Sequence, residues 1–419
     1  MKKSLKTKIR RIPKEQLLRL KELSHFSKNL YNQALFIVMK EFKENEKYLN
    51  YNKMDKIMKV QKNLENEINY KKLKAGVSQQ ILRKLDKNFA SFFKAISDWK
   101  KNKYKYLGMP KPPKFIKSDF YNLIYDFQRF QIKENRAVLE KNLFIKIPKQ
   151  LLNKKIKQIE IIPKYGYFEA IFVFEEEKEY IQISKNENVA GIDLGLNNLA
   201  TIVSNGTLKP FLINGRPLKS INQFYNKTIA NLKSKLEKRN KLKWSKRLQK
   251  VTDNRNNQIK DYLHKATAKI VALCVENNIS TVIIGNVSKS TNKINLGKKN
   301  NQNFVNLSLG QFVEKLKYKL EAHNIKVKVV DESYTSKASF IDSDFLPKKY
   351  LADKKFMFSG KRVKRGLYLS KNRVKINADV NGAFNIIRKV IPKFSFEDLS
   401  KKVNDGIAGW FLPHIQHIY

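Results

Sequence analysis

The sequence predicts an α+β protein of several domains: an N-terminal helical region, a small β-barrel, then an α/β domain. Three observations lead there. Apolar residues in the N-terminal third recur at helical spacing, the period falls to two between about 118 and 180, and short apolar strands then alternate with long amphipathic helices. The 419 residues, 42% of them hydrophobic, are enough for two or three domains.

Residues 1–15 are a short basic start, and 16–115 read as helical. Leu23, Phe26, Leu30, Ala34 and Ile37 share one helical face, as do Val77, Ile81, Leu85, Phe89, Phe92 and Ile96. Arg83, Lys84, Lys87 and Lys94 interleave with the second set and give that helix a basic outer face. Met109-Pro110-Lys111-Pro112-Pro113 breaks the pattern and marks a linker. Over 116–185, Leu143, Ile145 and Ile147 alternate with Phe144 and Lys146, and Ile159 and Ile161 flank Glu160. Tyr167 to Phe174 reads as a further strand, and such a succession suggests a small barrel or antiparallel sheet.

Residues 186–390 read as the α/β domain. Val189 to Asp193 is a strand, and Leu199 to Ser204 its hairpin partner. Pro217 opens a helix that runs into the basic stretch Lys233 to Lys250, and a second helix carries Ile259, Leu263, Ala266, Ile270 and Leu273. Ser280 to Ile284 is a strand of the buried parallel type. Residues 286–303 read as a polar, basic loop. A helix carrying Phe312, Leu316 and Leu320, a strand from Val327 to Asp331, and a helix from Asn377 through Ile387 complete the domain. Residues 391–419 read as a C-terminal tail.

Lys and Arg total 86 against 37 for Asp and Glu, a formal charge of +49. Self-repulsion of that size calls for a polyanionic partner. Nucleic acid fits, because Lys and Arg gain affinity by releasing condensed counterions. A membrane is not expected as the partner: no apolar run approaches the about 18 residues needed to span a bilayer. Nor does a secretory signal follow Met1-Lys2-Lys3. The single cysteine, Cys274, excludes intramolecular disulfides and cysteine-based zinc fingers, and its apolar neighbours mark a buried thiol. Of the five histidines only His414 and His417 are close in sequence.

Three segments could carry chemistry. Gly191-Ile192-Asp193-Leu194-Gly195 puts a carboxylate at the end of the first α/β strand. Asp331-Glu332-Ser333-Tyr334-Thr335-Ser336 puts another just beyond a later strand, and Asn377-Ala378-Asp379-Val380-Asn381-Gly382-Ala383 a third at a helix start. Phosphodiester hydrolysis gives a reason to gather them: magnesium takes hard oxygen ligands, and a metal pair can serve both the attacking and the leaving oxygen. Each segment also has a plainer reading. Asp193 could be a turn residue, or Gly191 to Gly195 the phosphate-facing hairpin of kinases and chaperone ATPases, although no further glycine-rich phosphate loop is evident. Asp379 could be a helix cap. Alternation sends Glu332 and Asp331 to opposite faces.

On these motifs the sequence resembles the TnpB (OrfB) family of transposon-encoded RNA-guided nucleases, relatives of type V CRISPR effectors and Fanzors. The resemblance is strongest over 186–390; Asn29-Leu30-Tyr31-Asn32 agrees more loosely. It implies that 1–15 and 116–185 build a wedge barrel around a recognition region at 16–115. It implies that 186–390 is an RNase H-like (RuvC) nuclease domain, and that Asp193 and Asp379 match the first and last catalytic aspartates. Many members place the middle glutamate where this chain has Gly285; the chain instead resembles a rearranged subgroup, which makes Glu332 the candidate. Asp193, Glu332 and Asp379 would then be catalytic and bind two magnesium ions.

Many relatives carry a zinc ribbon that this chain's insertion at about 337–375 lacks, so no zinc is expected. Lys361, Arg362, Lys364 and Arg365 beside Tyr368 are candidate nucleic-acid contacts there, a mixture suited to phosphate binding and base stacking. The partners implied are a guide RNA from the transposon end and double-stranded target DNA beside a short flanking motif, with one protomer or a homodimer on each RNA. The implied location is the bacterial cytoplasm, at the nucleoid. The alternative function is a cleavage-deficient RNA-guided DNA-binding protein, a repressor or transposition accessory.

Overall fold

A computed structural model describes residues 2–103, 106–176, 187–206, 208–240, 244–285, 308–348, 355–364, 366–403, 406–416 and 418. The basic loop read over 286–303, together with Arg365 and His417, lies outside the described residues. The chain divides into two compact units, Met1–Lys178 and Glu179–Tyr419.

In the first unit, strand β1 (Lys2–Lys8) precedes helices α1 (Lys14–Asn45), α2 (Tyr51–Met58) and α3 (Ala75–Lys101). Strands β2 (Leu123–Asp126), β3 (Gln131–Lys133), β4 (Arg136–Glu140), β5 (Leu143–Lys146), β6 (Lys155–Lys164) and β7 (Tyr167–Glu175) follow. Alternation on β7 buries Phe168, Ala170, Phe172 and Phe174 on one face. β1 offers a single apolar side chain, Leu5, so its sequence carries no strand period. It is held by antiparallel pairing to β7 from Lys2↔Glu175 to Lys8↔Glu169, with a Lys6–Glu169 ion pair at 2.6 Å. The strands form a sheet of order β1-β7-β6-β2 and a separate sheet β3-β4-β5. The expected small barrel is therefore, among the described residues, two antiparallel sheets packed with α1 and α3 around one core. Alternation fixes which side chains are buried but leaves strand pairing open, which is why the sheet division was not legible.

The second unit is built on one six-stranded sheet. Its strands are β8 (Val189–Leu194), β9 (Asn198–Ser204), β10 (Phe211–Asn214), β11 (Thr281–Gly285), β12 (Lys326–Val330) and a last strand, here β16 (His414–Gln416). The order is β12-β11-β8-β9-β10-β16, with β12, β11 and β8 parallel and β8-β9-β10 antiparallel. Between them run helices α4 (Arg216–Asn240), α5 (Lys246–Glu276), α6 (Leu309–Ala322), α7 (Ala378–Arg388) and α8 (Phe396–Lys402). β11 reads Val-Ile-Ile because both its faces are covered. Val282 and Ile284 join the core beneath α5 and α6, and Ile283 joins the core beneath α7. Burial in the first of these cores pushes the Cys274 thiol up to about 12, leaving it a packing residue.

The basic stretch 233–250 is divided rather than continuous: α4 ends at Asn240, and Ser245 caps α5 by accepting a hydrogen bond from the Leu248 amide at 3.2 Å. Residues 391–419 are not a tail. They supply α8, started by a Ser395–Asp398 capping box, the buried Trp410, and β16 at the sheet edge. These elements span three to seven residues each, too short for a period to register. Among the described residues, no helix is long and apolar enough to cross a membrane.

Candidate active site

Asp193 lies on β8 in register with Thr201 of β9, on the face toward α7. Two glycines set how closely that helix approaches. A Cβ on Gly191 would meet the Ala383 carbonyl oxygen at 2.5 Å, and a Cβ on Gly382 would meet Asp193 Oδ2 at 2.9 Å. The glycines of both motifs therefore let a helix pack on a strand, which accounts for Gly191 without a bound phosphate.

Glu332 follows β12, two residues past Val330, which pairs with Gly285 at the end of β11. A Cβ built on Gly285 would lie 3.2 Å from Glu332 Oε2 and 2.8 Å from Ile386 Cδ1. The Glu332 carboxylate thus stands over the spot from which a residue 285 side chain would project. Gly285 in turn is one step beyond Ile284, the partner of Ile192, so it lies alongside Asp193. Asp331 is used differently: its Oδ1 accepts from the Ser333 amide at 2.8 Å and from the Ser333 hydroxyl, forming a turn.

Asp379 sits in the first turn of α7, but the N-cap is Asn377, whose Oδ1 accepts from the amides of Asp379 at 2.9 Å and Val380 at 3.2 Å. The Asp379 carboxylate is left to face outward. Asn198 Nδ2 donates to its Oδ2 at 2.7 Å, and Arg362 Nη2 lies 3.4 Å from its Oδ1. Sequence reading missed Asn198 and placed Arg362 only among nucleic-acid contacts.

Two buried asparagines one helical turn apart tie the Glu332 segment to α7. Asn381 accepts from the Phe340 amide at 2.9 Å and donates to the Ala338 carbonyl at 2.8 Å. Asn385 donates to the carbonyls of Thr335 at 3.0 Å and Ala338 at 2.7 Å. Thr335 closes the turn, its hydroxyl donating to the Glu332 carbonyl at 2.8 Å.

Burial holds the Asp193 carboxyl well above its ordinary range, and the nearby negative charges of Asp379 and Glu332 push it further; Arg362 acts in the opposite sense. Three carboxylates that repel one another at a half-buried position form a natural place for a cation. The donor set suits magnesium, which takes oxygen ligands and keeps several waters. Among the described residues, however, no three His, Cys, Asp or Glu side chains are grouped closely enough to ligate one ion. The acids fit the metal in donor type and charge, but do not already enclose it.

Residues 172–291 match the family OrfB_IS605, described as a probable transposase, and residues 310–386 match the Cas12f1-like TNB domain. Over 233 residues, 52% of the chain, the sequence is 26% identical to the TnpB-like protein ORF457 of Acidianus two-tailed virus. The match covers 46% of that protein, so it extends over about half the relative's length. The fold is similar to Cas12f1 solved in a complex with sgRNA and target DNA, at a TM-score of 0.53 and 15% identity, covering 88% of this chain and 82% of that one. A CRISPR-Cas12f ternary complex matches at a TM-score of 0.36 and 16% identity, over 89% of this chain and 82% of that one. Over these segments the chain resembles the TnpB family.

The remaining candidates lie in the insertion at about 337–375. Strands β13 (Lys361–Lys364), β14 (Leu367–Leu369) and β15 (Lys375–Asn377) make a three-stranded sheet, and Lys361, Arg362 and Lys364 are all exposed on β13. Tyr368 is a correction. It is 0% exposed and its hydroxyl donates to the Lys337 carbonyl at 2.8 Å, so its ring is core and cannot stack on a base. Alternation on β14 turns it inward, a direction its basic neighbours hid. The insertion is held by packing: Phe340 stacks on Phe384 at 4.5 Å and touches Phe394. Asp344 adds a polar knot, accepting from the Ser339 amide at 2.7 Å and the Ser359 hydroxyl at 2.6 Å.

Proposed function

We propose that the chain is a transposon-encoded RNA-guided DNA endonuclease that cuts target DNA next to a short flanking motif through one magnesium-dependent site. In this reading the second unit holds the RNase H-like (RuvC) nuclease domain, at 186–390, and the first holds the recognition region and wedge strands. The observation that carries it is the placement of the Glu332 carboxylate over Gly285, beside Asp193, whose titration feels both Glu332 and Asp379. The acids sit at the carboxyl ends of parallel strands and at a helix start, where open α/β sheets bind ligands. The OrfB and Cas12f1-like matches support the same reading.

Asp193, Glu332 and Asp379 would hold magnesium. When bound, paired magnesium ions help a water attack the phosphodiester and stabilise the leaving oxygen. Asn198 fixes the orientation of the Asp379 carboxylate. Arg362, exposed on β13, would exchange its pairing with Asp379 for the backbone phosphate of an arriving strand. Guide pairing would read the target sequence, while the protein reads duplex shape and the flanking motif.

The test is plasmid cleavage by the protein co-purified with its RNA, with and without magnesium. Asp193→Ala and Asp379→Ala should lose cleavage and keep guided binding, and Glu332→Gln should be inactive where Asp331→Asn cuts. Full cutting by Asp193→Ala would overturn the proposal. The alternative reading is a guided DNA-binding protein that does not cut. Guided binding without cleavage at any magnesium concentration would select it.

A further inference from the structure

On the other side of the sheet, α5 and α6 bring together basic groups that no described acid neutralises directly. Lys315 Nζ lies 3.0 Å from His264 Nε2, and Lys319 Nζ donates to the His264 carbonyl at 2.7 Å and the Thr267 hydroxyl at 2.9 Å. Lys260 stands one turn before His264 on α5, as Lys315 does before Lys319 on α6. His264, Lys315 and Lys319 are half-buried, while Lys260 is exposed. The nearby acid, Asp261, pairs with Lys265 at 3.0 Å. No Asp or Glu occurs in the sequence between Glu276 and Glu314.

Contact between Lys315 and the imidazole requires a neutral His264 with its proton on Nδ1. Burial and then Lys315, Lys319 and Lys260 hold the His264 imidazole down at about 4, and burial lowers both Lys315 and Lys319. Half-buried cations that repel one another lower the stability of the free fold, and an anion placed among them removes the conflict.

We propose that Lys260, His264, Lys315 and Lys319 form an anion site that grips one phosphodiester group of a bound nucleic-acid backbone. The inference rests on the nucleic-acid partner of the proposed function, but not on cleavage, since the site lies on the α5–α6 side of the sheet and the three acids on the α7 side. A polymer backbone fits better than a free phosphate because the chain's formal charge of +49 already calls for a polyanion.

The experiment measures binding of the full chain to fluorescein-labelled poly(U) RNA across a sodium chloride series, with thermal melting of the RNA-free protein alongside. Lys315→Gln should flatten the slope of log affinity against log salt by about 0.7, the contribution of one phosphate on a single strand. Lys315→Arg should keep the wild-type slope, and Lys315→Gln should melt no lower than wild type. An unchanged slope in Lys315→Gln would overturn the proposal while leaving the proposed function intact. A lower melting temperature would overturn it by making Lys315 a support between the helices. Inorganic phosphate is the second arm: if Lys315→Gln removes a phosphate-induced melting shift but not the RNA slope, the site takes free phosphate and the proposal is wrong. A flat salt response in the wild type would overturn both this inference and the nucleic-acid partner beneath it.

Discussion

Replacing Gly285 by alanine introduces a methyl carbon 2.8 Å from Ile386 Cδ1 and 3.2 Å from Glu332 Oε2. Carbon atoms pack at about 3.5–4.0 Å, so the isoleucine terminus must retreat by more than half an ångström while the carboxylate moves less. The position is buried between parallel strands and α7, where such overpacking costs about 1–3 kcal/mol. For a unit of this size that lowers the melting temperature by about 2–12 °C. Ile386→Val deletes the clashing Cδ1 at a cost of about 0.5–1.5 kcal/mol on its own. In the double variant the two stability losses should therefore add to less than their sum. Cleavage should not recover with stability, because the alanine still displaces Glu332; a shift of about 0.3 Å at a reacting centre costs roughly fourfold, given about a hundredfold for a full ångström. Melting curves and plasmid cleavage rates for the two single variants and the double variant complete the cycle. Gly285→Ala with wild-type melting and wild-type cleavage would refute the placement of Glu332 over Gly285.

Other expectations follow from the same geometry. Asp193→Asn should raise the melting temperature in metal-free buffer at neutral pH. A carboxyl held above its ordinary 3.8 binds more protons folded than unfolded, so it withdraws stability as pH rises through and beyond that value, and asparagine removes the effect. A melting difference that does not grow with pH from acid to neutral would count against the repulsion among the acids. Asn198→Ala should cost about 0.5–1.5 kcal/mol through its lost hydrogen bond and slow cleavage, with magnesium affinity reporting the freed Asp379; unchanged affinity would show that the bond positions nothing. Phe340→Ala should cost about 3–5 kcal/mol, because the ring is fully buried and stacked where packing holds the insertion; calorimetry showing a loss under about 1 kcal/mol would contradict that.

The periodic elements of the fold were legible because burial writes itself into spacing: the faces of α1 and α3, the alternation of β7, and the two-sided apolar run of β11. Spacing did not reveal β1 or β13, since backbone pairing rather than apolar burial holds them and their side chains carry no period; a strand within 1–15 was expected from the resemblance alone. The motifs around Asp193 and Asp379 could be picked out in sequence, but their glycines could not be explained there. Gly191 and Gly382 serve a strand–helix approach between residues nearly two hundred positions apart, and only the packed structure pairs them. Glu332 drew notice through its Tyr-Thr-Ser neighbours; its relation to Gly285 depends on the β11–β12 register, which the sequence does not contain. Asn198 was missed for the same reason, since its partner Asp379 is 181 positions away. Tyr368 was misread because local basic composition was weighed above strand alternation.

Anomalous scattering from crystals grown with manganese, which takes the same oxygen ligands as magnesium, tests the central claim most directly. The account predicts a peak within direct or one-water reach of Asp193, Glu332 and Asp379, and its loss in Asp193→Ala. A peak held by Asp331 instead, or a cleavage-competent protein with no peak among those three acids, would contradict it.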